Sequence, residues 1–224
     1  MAISYLDNIF NFVDYEYLNP SQNRYGNLVQ QDLVSTQVVT TSELKEHLRI
    51  TTSSEDALLG TYILAATQMA EHYCNRHFIT AKYKLWFNEL PSTFSLYYPD
   101  CKFNYPSGAD SGKDGLHYLA SSGTTYTLFA NTNWFANQNS NPCQVKMLNT
   151  PSDAIETKDL DGTTDGIYYF QFHTGIADAN SGIPDAIKQA IKLIAGDLYY
   201  FREDRKRQFP MASQILLQPY KCYL

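Results

Sequence analysis

The sequence predicts an α+β fold, with a largely helical core and a β-rich insertion at about residues 80–175. Before residue 75 and after residue 183, apolar residues recur at the three- and four-residue spacing of one buried helix face. Between these segments, short apolar and aromatic runs alternate with Pro-, Gly- and Asp-rich turns, which is typical of strands. The 224 residues are within reach of one domain with insertions. We therefore expect two N-terminal helices, the insertion, a long C-terminal helix and a short final helix.

Two polar motifs predict where the first helices begin. Thr40 and Glu43 have the spacing of a capping box, in which a hydroxyl and a carboxylate bind N–H groups at a helix start. Residues 53–56 (SSED) are interpreted as a second box. The first opens a short helix that runs through Leu48, and the second opens a longer one. The apolar face of the longer helix comprises Leu59, Tyr62, Ile63, Ala66, Met69, Ala70 and Tyr73.

The β-rich insertion is predicted from five short runs. Residues 82–87 indicate a strand, and residues 116–119 and 124–129 a hairpin. Residues 144–148 and 167–173 are further strand candidates. The tyrosines of this region predict either a surface between subunits or the core of a small sheet.

Helical spacing returns at Pro184, which suits the first turn of a helix, and Asp185, which suits its dipole. The predicted helix ends in the basic run at residues 202–207, and residues 215–217 form a short apolar segment before the tail. The long helix buries a stripe of Ile187, Ala190, Ile191, Ile194, Ala195 and Leu198.

Charge is unevenly distributed along the chain. The net charge is −6, which is not the balance of a protein that grips nucleic acid by its phosphates. Residues 181–224 hold seven Lys/Arg and four Asp/Glu, a balance of +3, and the remaining residues therefore sum to −9. Such asymmetry is typical of an interaction surface or tail.

The scattered cysteines and the chain start predict a soluble protein of a reducing compartment. The four cysteines form no CxxC pair, and no disulfide framework is indicated. Residues 1–7 lack the basic start of a signal peptide. No apolar run approaches the ~20 residues of a membrane span, so no membrane association is expected.

The sequence favours a non-enzymatic protein without a cofactor or metal. Neither a GxSxG nor a P-loop spacing occurs. His72, Cys74 and His77 lie close together and could hold a metal, but a structural role is favoured because a second ligand pair is missing. Residues 159–166 resemble a calcium loop, yet Phe170 stands where the bidentate Glu belongs, so tight turns are favoured.

Several segments resemble the head–tail connector (adaptor) family of tailed bacteriophages in order and spacing. Residues 43–50 (ELKEHLRI) and 70–76 (AEHYCNR) are similar to the start and end of its first helical pair. The hairpin at 118–128 and the strand at 168–176 resemble its β elements. The long helix at 183–202 and residues 216–221 (LLQPYK) are similar to its C-terminal end.

The resemblance implies a structural ring protein of the virion neck, assembled in the host bacterial cytoplasm. It would join the portal to a tail-side protein, with about twelve copies in the ring. DNA would be packaged, retained and ejected through its lumen without sequence-specific binding. An acidic channel suits this role, since like charge keeps DNA from adhering. Residues 1–39 have no counterpart and are predicted to form an N-terminal arm, and residues 40–224 the connector domain.

The C-terminal end is predicted to contact the portal, because cations adjoin apolar anchors there. The alternatives for its parts are a solvated helix end for residues 202–207 and packing on the subunit's own core for residues 215–217. A second hypothesis is a carbohydrate- or receptor-binding β module of a virion, motivated by Trp86 and Trp134. The portal-contact candidates are Arg202, Arg205, Lys206, Arg207, Ile215, Leu216, Leu217, Tyr220 and Lys221.

Overall fold

The computed structural model describes residues 26–31, 36–103, 113–120, 125–154, 167–202 and 211–223. Four α-helices and nine β-strands lie within these residues. The helices are α1 (Thr41–Leu48), α2 (Asp56–Cys74), α3 (Asp185–Tyr200) and α4 (Met211–Leu217). The strands are β1 (Gly26–Gln30), β2 (Ala81–Phe87), β3 (Thr93–Ser95), β4 (Cys101–Lys102), β5 (Gly115–Leu119), β6 (Tyr126–Leu128), β7 (Trp134–Asn137), β8 (Gln144–Met147) and β9 (Tyr168–Thr174).

The capping box predicted at the start of α1 is confirmed. The Thr40 hydroxyl accepts from the Glu43 N–H at 3.2 Å, and the Thr40 N–H donates to Glu43 Oε2 at 2.7 Å. The second predicted box is wrong, because no side-chain cap bond is made at the start of α2. Its residue Glu55 instead binds side chains at the end of α3. Both α1 and α2 end at a left-handed residue, Arg49 and Asn75 respectively.

The helices pack on one another around their own apolar core. The stripe predicted for α3 is buried from Ile187 to Ala195, and α3 packs against both α2 and α4. From α2 the core takes Leu59, Ile63, Ala66, Ala70 and Cys74, each 0% exposed. None of the described helices combines the length and the apolar character needed to cross a membrane.

The larger sheet is antiparallel and has the strand order β1-β2-β9-β5-β6, with β4 pairing the end of β9. The predicted hairpin is present, since β5 pairs with β6 with His117 opposite Leu128. Residues from the predicted arm also contribute, because the five residues of β1 pair with residues 83–87 of β2. Residues 1–25 and 32–35 of the predicted arm lie outside the described residues.

A smaller antiparallel sheet, β3-β8-β7, packs its aromatic side chains against the larger one. Phe94 of β3 lies 4.8 Å from Phe87 and 5.4 Å from Phe170, measured between ring centroids. Trp134 of β7 lies 5.0 Å from Phe170. These rings fill a second core, separate from the helical one.

The predicted fold class, a largely helical core with a β-rich insertion, is therefore wrong. The strands form two sheets that enclose a core of their own, and the main packing contacts join helix to helix and strand to strand. The error has a physical cause. Local periodicity identified five of the nine described strands (β2, β5, β6, β8 and β9), but only the pairing of distant segments shows that the strands bury their apolar faces on one another.

The helices and the larger sheet meet where the chain leaves α2 and where it returns towards α3. Thr80 N–H donates to Ala177 O at 2.9 Å, and Ala177 N–H donates to Phe78 O at 3.1 Å. Gly175, with φ of +151°, allows this approach, because a Cβ there would lie 2.6 Å from Thr80 Cα. The Thr80 hydroxyl also donates to Asp178 at 2.5 Å. This joint holds the two cores together.

Candidate assembly surfaces

Arg202, the first of the predicted portal-contact residues, lies beside the start of α2. Its Nη2 donates to Glu55 Oε1 at 2.9 Å, and its guanidinium lies 5.1 Å from the ring centroid of Tyr199. The Tyr199 hydroxyl donates to Glu55 Oε2 at 2.6 Å. These hydrogen bonds lower the pKa of the Glu55 carboxyl, and the bond from Tyr199 is the larger cause. The C-terminal end of α3 is thereby fastened to the N-terminal end of α2.

The apolar candidates on α4 do not share one environment. Leu217 is 0% exposed and belongs to the helical core, so the alternative of packing on the subunit's own core describes it. Leu216 and Tyr220 are partly buried against the same core. Ile215, by contrast, is 63% exposed. It is the apolar candidate with the most surface to offer a partner.

The C-terminal tail is held against the end of α2. Cys222 N–H donates to Cys74 O at 2.8 Å, and Asn75 Nδ2 donates to Cys222 O at 3.0 Å. Arg76 Nη1 donates to Tyr220 O at 3.2 Å. Lys221 places its ammonium 4.7 Å from the Tyr73 ring centroid. These contacts fix the direction in which the last residues leave the helices.

The predicted portal-contact residues are consequently divided between two places. Arg202 is anchored at the residue before α2, whereas Lys221 lies over its last turn. A 19-residue helix is about 28 Å long at 1.5 Å per residue. The candidates therefore do not form one compact patch. Arg205, Lys206 and Arg207 lie outside the described residues.

Arg76 and Asp100 join the end of α2 to the loop before β4 and to the C-terminal tail. The sequence did not predict this role for either residue. Arg76 Nη2 is paired with the Asp100 carboxylate while Nη1 binds the tail. With Lys102, Ile176 and Tyr220 they line an open cleft beside the joint. Little in the sequence indicates this role, because Arg76 is there only the last residue of the segment at 70–76 that resembles the connector family.

His72, Cys74 and His77, the candidate metal ligands, have separate surroundings. Cys74 Sγ faces Leu217 O at 3.8 Å, and burial raises the pKa of its thiol to about 12. His77 lies between Glu71 and Tyr83, with ring-nitrogen distances of 3.3 and 2.7 Å. Within the described residues, no three His, Cys, Asp or Glu side chains form a metal-sized group. The calcium-like loop at 159–166 is outside that part of the chain.

The tryptophans that motivated a carbohydrate-binding module are packed on other rings. Trp134 is 6% exposed and contacts Phe103 and Phe170 in the sheet core. Trp86 is half-buried, with its ring centroid 4.8 Å from that of Tyr169. Lys84 sets its ammonium 4.3 Å from the Tyr169 ring. Burial raises the pKa of Tyr169 to about 12. The faces of Trp86 and Trp134 thus pack against other rings of the same subunit.

Comparison with known proteins supports the resemblance to head–tail connectors for the segment that contains α1 and α2, and it finds solved structures with the same fold as this chain. The model of the phage gp6-like head-tail connector family matches residues 39–106, which cover α1, α2 and the first strands of both sheets after them. No curated protein matches the sequence.

Two solved structures share the fold over most of the chain. A chain in the "Neck of empty GTA particle computed with C6 symmetry" has a TM-score of 0.66 and 19% identity, covering 88% of this chain and 96% of that one. A chain in the "Neck of native GTA particle computed with C12 symmetry" has a TM-score of 0.62 and 18% identity, with the same coverage. The resemblance predicted from the sequence is confirmed: residues 39–106 have the pattern of the phage gp6-like head-tail connector family, and the fold is that of chains in gene transfer agent necks.

Proposed function

We propose that the chain is a structural subunit of the neck of a tailed phage or phage-like particle, where it joins the portal to the tail. The observation that carries this proposal is the match of residues 39–106 to the connector family, in a chain whose fold is similar over 88% of its length to neck chains. The role is structural rather than catalytic. It requires packing surfaces at both ends of a ring instead of a reactive site.

The proposed assembly is a homo-oligomeric ring of about twelve copies around the DNA path. The 12-fold symmetry of a neck that contains a similar chain supports this number. Twelve copies of a chain with charge −6 make a strongly acidic ring. DNA carries like charge and passes such a lumen without adhering, which suits packaging, retention and ejection.

The portal contact is proposed at the α4 end of the subunit. Ile215 is exposed there, and Tyr220 and Lys221 follow in a tail whose direction is set by Asn75 and Arg76. Arg205, Lys206 and Arg207 come four to six residues before the first residue of α4 in the chain and are proposed to add positive charge to this contact. Arg202 lies at the other end of α2 and is the natural control.

The test is binding of the purified chain to the portal of its own particle, followed by electron microscopy. Wild type should form a ring on the portal, and Ile215→Glu should lower ring occupancy at least tenfold while the thermal unfolding temperature stays the same. Arg202→Gln, at the opposite end, should leave binding intact. Absence of the chain from purified particles would overturn the neck function. Loss of binding in Arg202→Gln alone, with the unfolding temperature unchanged, would place the portal at the other end.

A further inference from the structure

Helix α2 exposes a face that carries no carboxylate, lysine or arginine. The exposed positions follow helical spacing and form what we call the α2 outer face: Ala57, Thr61, Leu64, Gln68, Met69 and His72. Leu64 is 49% exposed, and Met69 is 37% exposed, so the prediction that places Met69 on the buried face is wrong. The opposite face of the helix is the fully buried one that packs against α3. The helix is thus apolar or uncharged nearly all the way around.

The two acidic side chains of α2 are engaged within the subunit. Asp56 pairs with Lys45 at 2.8 Å. Glu71 accepts from the Phe78 N–H at 2.7 Å and lies 3.3 Å from His77. A helix on the surface of a monomeric protein ordinarily carries charge on its outer side. α3 follows that rule, since its partly or fully exposed positions include Asp185, Lys188, Lys192 and Asp197.

We infer that the α2 outer face is a contact between neighbouring copies of this chain in the ring, an inference that rests on the proposed neck function. Each copy has a charge of −6, so two copies repel wherever their acidic surfaces face one another. An uncharged strip with exposed Leu64 and Met69 is the place where such copies approach at the least electrostatic cost. A DNA contact would instead favour cations, and the portal contact is proposed at the α4 end.

The size of the strip defines what it contributes. From position 57 to position 72 it is about 23 Å long, and it is one helix, about 10 Å, wide. Its area is thus roughly 230 Å², well below the ~800 Å² per partner of a stable interface. The α2 outer face is therefore the uncharged centre of a larger contact. In a ring this contact is heterologous, so the neighbour presents a different surface to α2.

Site-specific photocross-linking tests this directly in assembled particles. The photoreactive residue benzoylphenylalanine replaces Leu64, and in a matched variant it replaces Gln189, which is exposed on α3. Irradiated particles should give adducts at multiples of the chain mass from position 64, at least tenfold more than from position 189. Adducts of position 64 with another protein, or no adducts, overturn the inference and leave the neck function standing. Absence of the chain from particles overturns both.

A charge variant gives an independent measurement. Leu64→Glu should lower incorporation into the ring at least tenfold, while Gln189→Glu, which adds the same charge on α3, should leave it unchanged. Both variants should keep the wild-type circular dichroism spectrum and thermal unfolding temperature, because both positions face solvent in the subunit. Equal incorporation of Leu64→Glu and wild type overturns the inference.

Discussion

Arg76 Nη1 donates to the carbonyl oxygen of Tyr220 at 3.2 Å, so the residue that follows the helix α2 cap holds the C-terminal tail in place. Its Nη2 is paired with Asp100, and its side chain is 16% exposed. One guanidinium therefore ties the helical core, the loop before β4 and the tail together. This is a use of the planar fork of arginine that the point charge of lysine does not reproduce.

Arg76→Ala should lower the free energy of unfolding by about 1.5–3 kcal/mol, the range for hydrogen bonds to charged groups. Arg76→Lys should restore only part of that loss, because one ammonium does not span both acceptors. Urea denaturation measures the loss, and carboxypeptidase digestion reports release of the tail. A tail digested at the wild-type rate in Arg76→Ala would show that other contacts suffice to hold it.

Gly175→Ala should destabilise the joint between the two cores. The new Cβ would lie 2.6 Å from Thr80 Cα, at a φ of +151° that L residues rarely adopt. We expect a loss of about 2–4 kcal/mol from strain and overpacking together. Gly60→Ala is the control, since the nearest atom lies 3.9 Å away. Inside α2 it should raise stability by about 0.5–1 kcal/mol. Thermal or urea unfolding of both variants checks the contrast.

Glu43 should make part of the stability dependent on pH. The hydrogen bond from the Thr40 N–H is the main cause that lowers the pKa of its carboxyl below 4.5. The ionised form is thus favoured by folding. Its contribution is complete above the ordinary pKa and is lost as the pH falls through the lower folded one. Unfolding free energies should be measured between roughly pH 6 and pH 3. The difference in unfolding free energy between wild type and Glu43→Gln should become smaller as the pH falls. A difference between the two proteins that stayed constant over this range would contradict the role of the ionised carboxylate.

Two neighbouring residues of α4 should separate stability from binding. Leu217→Ala removes a side chain that is 0% exposed and should cost about 2–5 kcal/mol. Ile215→Ala, at 63% exposure, should change stability by less than about 0.5 kcal/mol. Chemical denaturation measures both. Similar losses in the two variants would mean that Ile215 also packs within the subunit.

The Cys74 thiol should resist alkylation in the folded protein. Burial raises its pKa to about 12, so about one thiol in ten thousand is ionised at pH 8. Mass spectrometry after iodoacetamide treatment should find Cys74 unmodified in the native chain and labelled in guanidinium. Labelling of native Cys74 at the unfolded rate would contradict the burial of this residue.

The helices were predictable because their signals are local. Thr40 and Glu43 form a capping box within four residues, and the stripe from Ile187 to Ala195 repeats with the helical period. Five of the nine described strands were predictable one by one for the same reason, whereas β1, β3, β4 and β7 were missed. Their arrangement was not, because β1 pairs with β2 across fifty or more residues and β9 joins segments from three parts of the chain.

The predicted portal-contact residues show the same division. The sequence places cations and apolar residues close together near the C-terminus, but the structure places Arg202 and Lys221 at opposite ends of α2. Arg202 consequently lies beside Glu55, and Lys221 lies beside Tyr73. Neither Glu55 nor Tyr73 has a sequence feature that predicts such a partner.

By itself, the sequence determined the helices, most strands, the acidic balance and the resemblance to head–tail connectors, because each depends on residues close in the chain or on composition. Only the tertiary structure decided that the strands form two sheets around their own core. Only the tertiary structure shows that Leu217 is buried while Ile215 is exposed, and that the exposed side of α2 is uncharged. The physical reason is that burial and pairing are properties of surfaces brought together by folding, and local spacing does not specify which surfaces meet.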